Sequence, residues 1–292
     1  WEDFCNIRVP VPSIVKQEEI VKEFNVLMKN IKLCNELISK IEEVALAIYK
    51  RWFIDFDFPD EMGNPYKSSG GEMVDSELGM IPKGWEVKPL RDNDKLECEI
   101  PKGWRLTNLK EFCLDIKSGG TPSRDIYSYW SSSDIPWLKT GEVYNNILIN
   151  AEEYISSEGF EMSSAKLLPE DSVLMSMYGV NAGQVGILKF KSTTNQACCG
   201  MITSNSCDSA YLYYHLLYNQ DYIASQAIGG AQQNLSKGFI ENIQILIPNG
   251  PNVSKDIFKN IINYKEVLTR KLNSIKSLSQ LLLSRLTIAE DK

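Results

Sequence analysis

The groups best placed to do chemistry in this chain are amides and hydroxyls set between glycines. Gly229-Gly230-Ala231-Gln232-Gln233-Asn234-Leu235-Ser236-Lys237 carries three consecutive amides, and Gln and Asn are the side chains that pair bidentately with adenine. Lys117, Thr121, Ser123 and Arg124 surround the tight turn Ser118-Gly119-Gly120-Thr121-Pro122-Ser123, while Lys139 and Thr140 follow the apolar run Ile135-Pro136-Trp137-Leu138. Cations and hydroxyls of this kind meet phosphates or guanine edges. One such residue alone is by default merely solvated. As Gly-flanked polar loops of a single domain, together with Lys237, they read as a binding surface.

Catalytic patterns are missing by comparison. Transfer of a methyl group to a DNA base needs a glycine-spaced cofactor loop and an Asn-Pro-Pro-Tyr type motif for the flipped base; the nearest stretch, Asn64-Pro65-Tyr66-Lys67, has one proline too few. Asp55 and Asp57 are close enough to suggest a metal-dependent nuclease, yet they alternate with aromatics and read as a solvated face. No G-x-x-x-x-G-K loop is present, and Ser118-Gly119-Gly120-Thr121 reads as a plain turn. The single histidine, His215, reads as a packed or surface residue of a helix, which nearly excludes triads and His-based metal sites. Seven cysteines, an odd number with no C-x-x-C pair, suggest neither a disulfide framework nor zinc. No metal and no cofactor is expected.

The composition, 43% hydrophobic and 24% charged, is that of an ordinary globular protein, and 292 residues hold one large or two modest domains. No apolar run approaches the roughly 20 residues of a membrane span, so a cytoplasmic location is expected. A net charge of −7 argues on its face against binding nucleic acid. Its distribution matters more, because residues 117–124, 186–196 and 226–238 are basic and carry no acid. A partner can supply the rest of a positive field.

Two long helices must position these loops. From Ile20 the apolar residues Ile20, Phe24, Leu27, Ile31, Cys34, Ile38, Ile41, Ala45, Ile48 and Trp52 alternate steps of four and three, the seam of a coiled coil. At 1.5 Å per residue that helix spans roughly 60 Å, the length of a spacer. Ile257, Ile261, Tyr264, Leu268, Ile275, Leu278 and Leu282 repeat the rhythm near the other end, interrupted once at Lys271. The lead-ins also match without a gap, Asn6-Ile7-Arg8-Val9-Pro10-Val11-Pro12 on Asn242-Ile243-Gln244-Ile245-Leu246-Ile247-Pro248, so a strand-proline-helix unit recurs around a large insert. Between the helices a Gly, Ser and Pro-rich linker gives way at Ile81-Pro82-Lys83-Gly84-Trp85, repeated as Ile100-Pro101-Lys102-Gly103-Trp104. Short elements broken by turns then run to Pro251. Residues 172–178 and 184–190 are expected to pair across the Gly179 to Gly183 turn, and 211–227 to form a helix. The fold class is α+β, a curved sheet flanked by helices.

Several of these motifs in order resemble the target recognition domain of type I restriction-modification specificity subunits. They are Ile100-Pro101-Lys102-Gly103-Trp104, Ser118 to Ser123, Ile135-Pro136-Trp137-Leu138-Lys139-Thr140-Gly141-Glu142, Ser163 to Pro169, Gly183-Gln184-Val185-Gly186, Gln232-Gln233-Asn234-Leu235-Ser236 and Asn242-Ile243. Pro12 to Ile20 resembles the family's entry into its spacer helix, and Trp52-Phe53-Ile54-Asp55-Phe56 with Pro65 through Trp85 resembles the join to the next domain. The resemblance implies one mixed α/β recognition domain attached to two long helices forming an antiparallel coiled coil. It implies double-stranded DNA as ligand and methyltransferase subunits docked on the helices, with a restriction subunit beyond them; the chain itself would be no enzyme. The boundaries it implies are 1–12 as the tail of a preceding recognition domain, 13–59 as the first spacer helix, 60–99 as linker and entrance, 100–251 as the recognition domain and 252–292 as the second spacer helix.

The sequence departs from the family in holding one complete recognition domain and a doubled Ile-Pro-Lys-Gly-Trp. It also opens on Trp1, a few residues before a strand-like run, as if inside a larger domain. A half-subunit that forms a homodimer, a C-terminal fragment and a rearranged gene all fit these departures. The alternative from another class is a coiled-coil scaffold whose central domain binds protein, for which the acidic balance and long seams speak.

Overall fold

The structure, a computed structural model, describes residues 11, 13–55, 57–59, 62–76, 79–83, 104–227, 234–248 and 255–287. Gln232, Gln233, the glycines before them, the first strand-proline lead-in apart from Val11, Ile100 to Gly103, Cys5 and Cys98 lie outside the described residues. Helix α1 (Ile14–Phe53) is followed by a hairpin of β1 (Met73–Ser76) and β2 (Gly79–Pro82), then by β3 (Arg105–Asn108), the one-turn α2 (Leu109–Phe112) and β4 (Asp115–Ser118). Next come β5 (Ile135–Leu138), β6 (Asn146–Leu148), β7 (Glu153–Ile155), α3 (Ser157–Glu161), β8 (Val173–Ser176), β9 (Val185–Leu188), β10 (Thr193–Thr194) and β11 (Cys198–Ile202). The chain continues through α4 (Ser206–Tyr218), α5 (Gln220–Ser225), α6 (Lys237–Glu241), β12 (Gln244–Ile247) and α7 (Asp256–Thr287). Two compact units result, Trp1–Glu42 with Tyr264–Lys292, and Glu43–Asn263.

In the first unit α1 and α7 run antiparallel, since rising numbers on one meet falling numbers on the other. Glu42 holds Lys265, Cys34 packs with Leu272 and Ile275, and Leu27 lies beside Leu278 and Leu282. On α1 the inward line is Ile20, Phe24, Leu27, Ile31, Cys34, Ile38 and Ile41, each buried or half-buried. On α7 the line differs from the apolar rhythm. Leu268, Leu272 and Ile275 are buried, but so are Lys265, Thr269 and Ser279, whereas Tyr264 and Leu278 are 51% and 55% exposed. The polar residues can go inward because each is satisfied: Glu42 receives the Lys265 ammonium, Thr269 Oγ1 donates to the Lys265 carbonyl (2.8 Å), and Ser279 Oγ to the Lys276 carbonyl (2.8 Å). Lys271, where the rhythm breaks, is exposed, and Leu272 fills the interface beside it.

The second unit is built on a five-stranded mixed sheet in the order β4-β11-β8-β9-β6, with only β6 and β9 parallel. A three-stranded sheet β10-β5-β7 and the pair β12-β3 accompany it. The strands flanking the Gly179 to Gly183 turn pair antiparallel in the register Val173↔Ile187 and Met175↔Val185. All eight of their residues are buried, because both sheet faces are covered. Val173, Met175, Val185, Ile187, Cys199 and Met201 pack toward α4, while Leu174, Leu188 and Cys198 pack toward Leu138, Val143, Leu148 and Leu168.

Helix α4 begins five residues before the expected Tyr211, because Asn205 caps it by accepting the Asp208 amide (2.9 Å). Its Tyr211 and Tyr214 meet Tyr49 and Phe53 of α1 and Phe258 of α7 in one aromatic cluster, with Ile48, Ile257 and Ile261 half-buried around it. His215 is buried there with Nδ1 2.8 Å from the Tyr49 hydroxyl, and burial pushes its pKa down to about 4.

The two aspartates after α1 have structural partners. Asp55 pairs with Lys50 (3.0 Å). Asp57, expected on a solvated face, is buried and receives Arg51 (2.7 Å), the Ser68 hydroxyl (2.7 Å) and the Ser68 amide (3.0 Å). Burial works against its ionisation, yet these donors bring its pKa down to about 2. Tyr66 of the Asn64-Pro65-Tyr66-Lys67 stretch stacks on Phe58 with ring centroids 6.0 Å apart, so that stretch belongs to the same strap.

Candidate functional site

The sheet register gathers the polar loops at one end. Ser118 lies opposite Cys199, Cys198 opposite Ser176, and Met175 opposite Val185. The end of β4, the end of β8 and the starts of β9 and β11 therefore share one end of the sheet, and the parallel register Asn146↔Gly186 brings the start of β6 there too.

Backbone hydrogen bonds knit the loops that leave this end. Gly119 and Gly120 amides donate to the Cys198 and Thr194 carbonyls (3.1 and 2.8 Å), the Met177 amide to Ala197 (2.8 Å), the Leu235 amide to Met177 (2.8 Å), and the Asn195 amide to Leu138 (3.0 Å). The two glycines are required by the closeness of approach: a Cβ on Gly119 would fall 2.2 Å from the Asn195 carbonyl oxygen, and one on Gly120 2.4 Å from the Ser164 backbone. The turn expected to be plain is thus wedged between two other segments.

Side chains complete the cluster. Thr121 Oγ1 donates to Gln196 Oε1. Thr140 and Asn195 exchange two hydrogen bonds, hydroxyl to Oδ1 at 3.0 Å and Nδ2 to hydroxyl at 2.9 Å. An isolated bridge pairs Tyr178 with Asn234. Of the residues singled out in the sequence, Thr121, Thr140 and Asn234 come together here, joined by Asn195, Gln196 and Tyr178. Those three sit in Thr193-Thr194-Asn195-Gln196 and at a glycine turn, an amide-bearing run and a turn signal of the kind already recognised around Gln232 to Asn234.

The cations are placed differently. Lys117, next to the end of β4, pairs with Asp115 (3.2 Å), and Lys237, the first residue of α6, is exposed and reaches Glu241 (3.4 Å). Arg124 lies 3.4 Å over the Trp130 ring and 4.8 Å from the Trp137 ring, with its guanidinium 2.6 Å from Glu153. Lys139 bridges Glu152 (3.0 Å) and Glu153 (3.1 Å). Burial opposes ionisation of Glu153, but Arg124 and Lys139 hold its carboxyl below the usual range. Ser123 is exposed, and its carbonyl accepts the Trp130 indole N–H (2.9 Å). Arg124 and Lys139 are therefore engaged with acids, Glu153 and Glu152, that lie outside the acid-free stretch 117–124 in which Arg124 sits.

Nothing in this cluster is poised as a nucleophile. Burial pushes the Cys198 and Cys199 thiols up to about 12. Among the described residues no group of three His, Cys, Asp or Glu is placed to hold a metal ion, and no helix is long and apolar enough to cross a membrane. What the cluster offers is a set of neutral donors and acceptors at fixed positions. Such groups discriminate hydrogen-bond patterns on a partner and do little to neutralise its charge.

Comparison with known proteins gives a consistent picture. A family model described as the type I restriction modification DNA specificity domain matches residues 101–277. The chain is 27% identical over 297 residues to the type I restriction enzyme MjaIX specificity subunit of Methanocaldococcus jannaschii, covering 97% of this chain and 60% of that protein. It is 24% identical over 283 residues to the type I restriction enzyme HindI specificity subunit of Haemophilus influenzae, covering 85% and 61%. Among solved structures, the type I restriction-modification system S subunit from M. genitalium superposes on 95% of this chain and 62% of its own, with a TM-score of 0.56 at 13% identity, a likeness of fold. The chain thus spans 60% and 61% of the lengths of the two relatives named.

Proposed function

We propose, from the premise that this chain belongs to the type I restriction modification DNA specificity family, that residues 100–251 read about half of a bipartite site in double-stranded DNA. Residues 13–59 and 252–292 then act as the spacer helices that hold methyltransferase subunits. Methyl transfer and cleavage are carried by those subunits and by a restriction subunit, and this chain supplies sequence choice. Where the chain works as a half-subunit, a homodimer supplies the second recognition domain.

The observation that carries this reading is the knit sheet end, where Thr121, Gln196, Thr140, Asn195, Tyr178 and Asn234 arrive from segments far apart in sequence. Preorganised amides and hydroxyls on a packed scaffold suit direct reading of base edges, which demands fixed donors and acceptors. Lys117, Arg124, Lys139 and Lys237 are each paired with an acid, in keeping with a complex whose partner supplies much of the phosphate attraction. Docking on the helices is supported by Val15, Val26, Leu33 and Leu37, all exposed and, at 3.6 residues per turn, within about 40° of arc on α1.

A gel-shift assay with random duplex DNA, with and without a co-expressed methyltransferase, tests the reading. Sequence preference in the presence of the partner is expected. Lack of any preference even with the partner would favour the protein-binding scaffold.

A further inference from the structure

Val180 stands at the tip of the turn that joins β8 to β9 and is 100% exposed. The turn is rigid. Gly179 (φ 69°) and Gly183 (φ 86°) take left-handed conformations, the Ala182 amide donates to the Gly179 carbonyl (3.0 Å), and the Gly183 amide to Ser176 (2.9 Å). Its near side is fastened to the polyamide loop by the Tyr178 and Asn234 bridge and by the Leu235 amide on Met177. Tyr178, next to the tip, is itself 36% exposed. From Ser172 to Leu188 no side chain is charged.

A branched aliphatic side chain with no neighbour gains nothing in the free protein, and on so constrained a turn it cannot fold back to find one. The Val180 side chain has neither a charge nor a donor to offer a phosphate. It fits a base edge. The thymine C5-methyl is the apolar group that base edges present in the major groove, and an Asn amide beside it matches adenine N6 and N7.

We propose that the Tyr178 to Gly183 turn enters the major groove with Val180 against a thymine methyl and Asn234 on a neighbouring adenine. This rests on the DNA-recognition reading above and deepens it, naming an apolar contact and the base class it selects.

The test begins by selecting a motif from random duplexes with the full chain and its methyltransferase. Each thymine of the motif is then replaced singly by deoxyuridine, which lacks only the methyl. At one position the wild type is expected to lose about fourfold in affinity, the factor worth one buried methyl. Val180→Ser should bind the thymine and uridine duplexes equally there while melting at the wild-type temperature, since Val180 supports no packing. Two results overturn the inference and leave recognition standing: a motif in which no thymine is sensitive, or a Val180→Ser variant with the wild type's full uridine sensitivity. Failure to select any motif overturns the recognition reading and this inference with it.

Discussion

Truncating Glu42 should damage the helix pair far more than truncating a surface acid. Lys265 sits in the interface with its side chain 3% exposed, and Glu42, 20% exposed, is its carboxylate partner. Burial lowers the pKa of Lys265 while Glu42 pulls the other way. Glu42→Ala withdraws that compensation from a buried ammonium and should cost about 3–5 kcal/mol, against roughly 0–1 kcal/mol for an exposed pair. Replacing both partners, as Glu42→Leu with Lys265→Met, removes the desolvated charges together and should be neutral or stabilising by about 1–4 kcal/mol. The double substitution would also erase a polar cue for which faces of the two helices meet.

Urea unfolding of the helices, followed by far-UV circular dichroism with the m-value held as a control, gives each difference and the coupling between them. The pH dependence carries a sign as well. Unfolded Lys265 keeps its proton up to about 10.5 and the folded one releases it earlier, so wild-type stability rises with pH below 10.5 relative to the double variant. A cost for Glu42→Ala under about 1 kcal/mol would refute the reasoning, because Glu42 would then not be what holds the ammonium.

His215 gives a second pH effect. Its folded pKa of about 4 lies below the ordinary 6.5, so the unfolded state binds the extra proton in that window. Stability should fall by up to about 3 kcal/mol as pH drops from 6.5 to 4, and the urea midpoint of His215→Gln should lack that slope. Asn234→Ala should relax choice at one base pair at a cost of about 1–3 kcal/mol, seen in the selected motif, whereas Lys237→Ala should weaken binding to all sequences and lower the salt slope by about one. Adding a heptad to both helices within residues 14–42 and 264–287 should lengthen the spacer of the DNA site read by the assembled complex; an unaltered spacer would contradict their role in setting that distance.

Helix α1 was legible because its seam is apolar throughout, so periodicity alone finds the inward face. On α7 periodicity finds only part of the inward line, for a physical reason. Lys265, Thr269 and Ser279 lie inside with their polar atoms satisfied, while Tyr264 and Leu278 stand half outside, and no count of apolar residues weighs a partner such as Glu42 on the opposite helix. The β8 and β9 pairing was local and therefore readable. The sheet order β4-β11-β8-β9-β6 and the parallel pairing of β5 with β10 join residues far apart, and their register is set by the burial of both faces.

The site divides along the same line. Thr121, Thr140 and Asn234 were visible as polar residues beside glycines. Gln196 and Asn195 were not, because what places them in the cluster is contact with Thr121 and Thr140, 75 and 55 positions away. Arg124 looked free because its acid, Glu153, comes 29 residues later on β7.

The most direct measurement exchanges residues 104–248 for the matching stretch of a relative with a different DNA site and sequences the duplexes that the assembled complex then selects. If this unit reads DNA, the selected half-site should become the relative's while the methyltransferase still copurifies. Selection of this chain's original half-site by the exchanged protein would contradict the claim that recognition resides there.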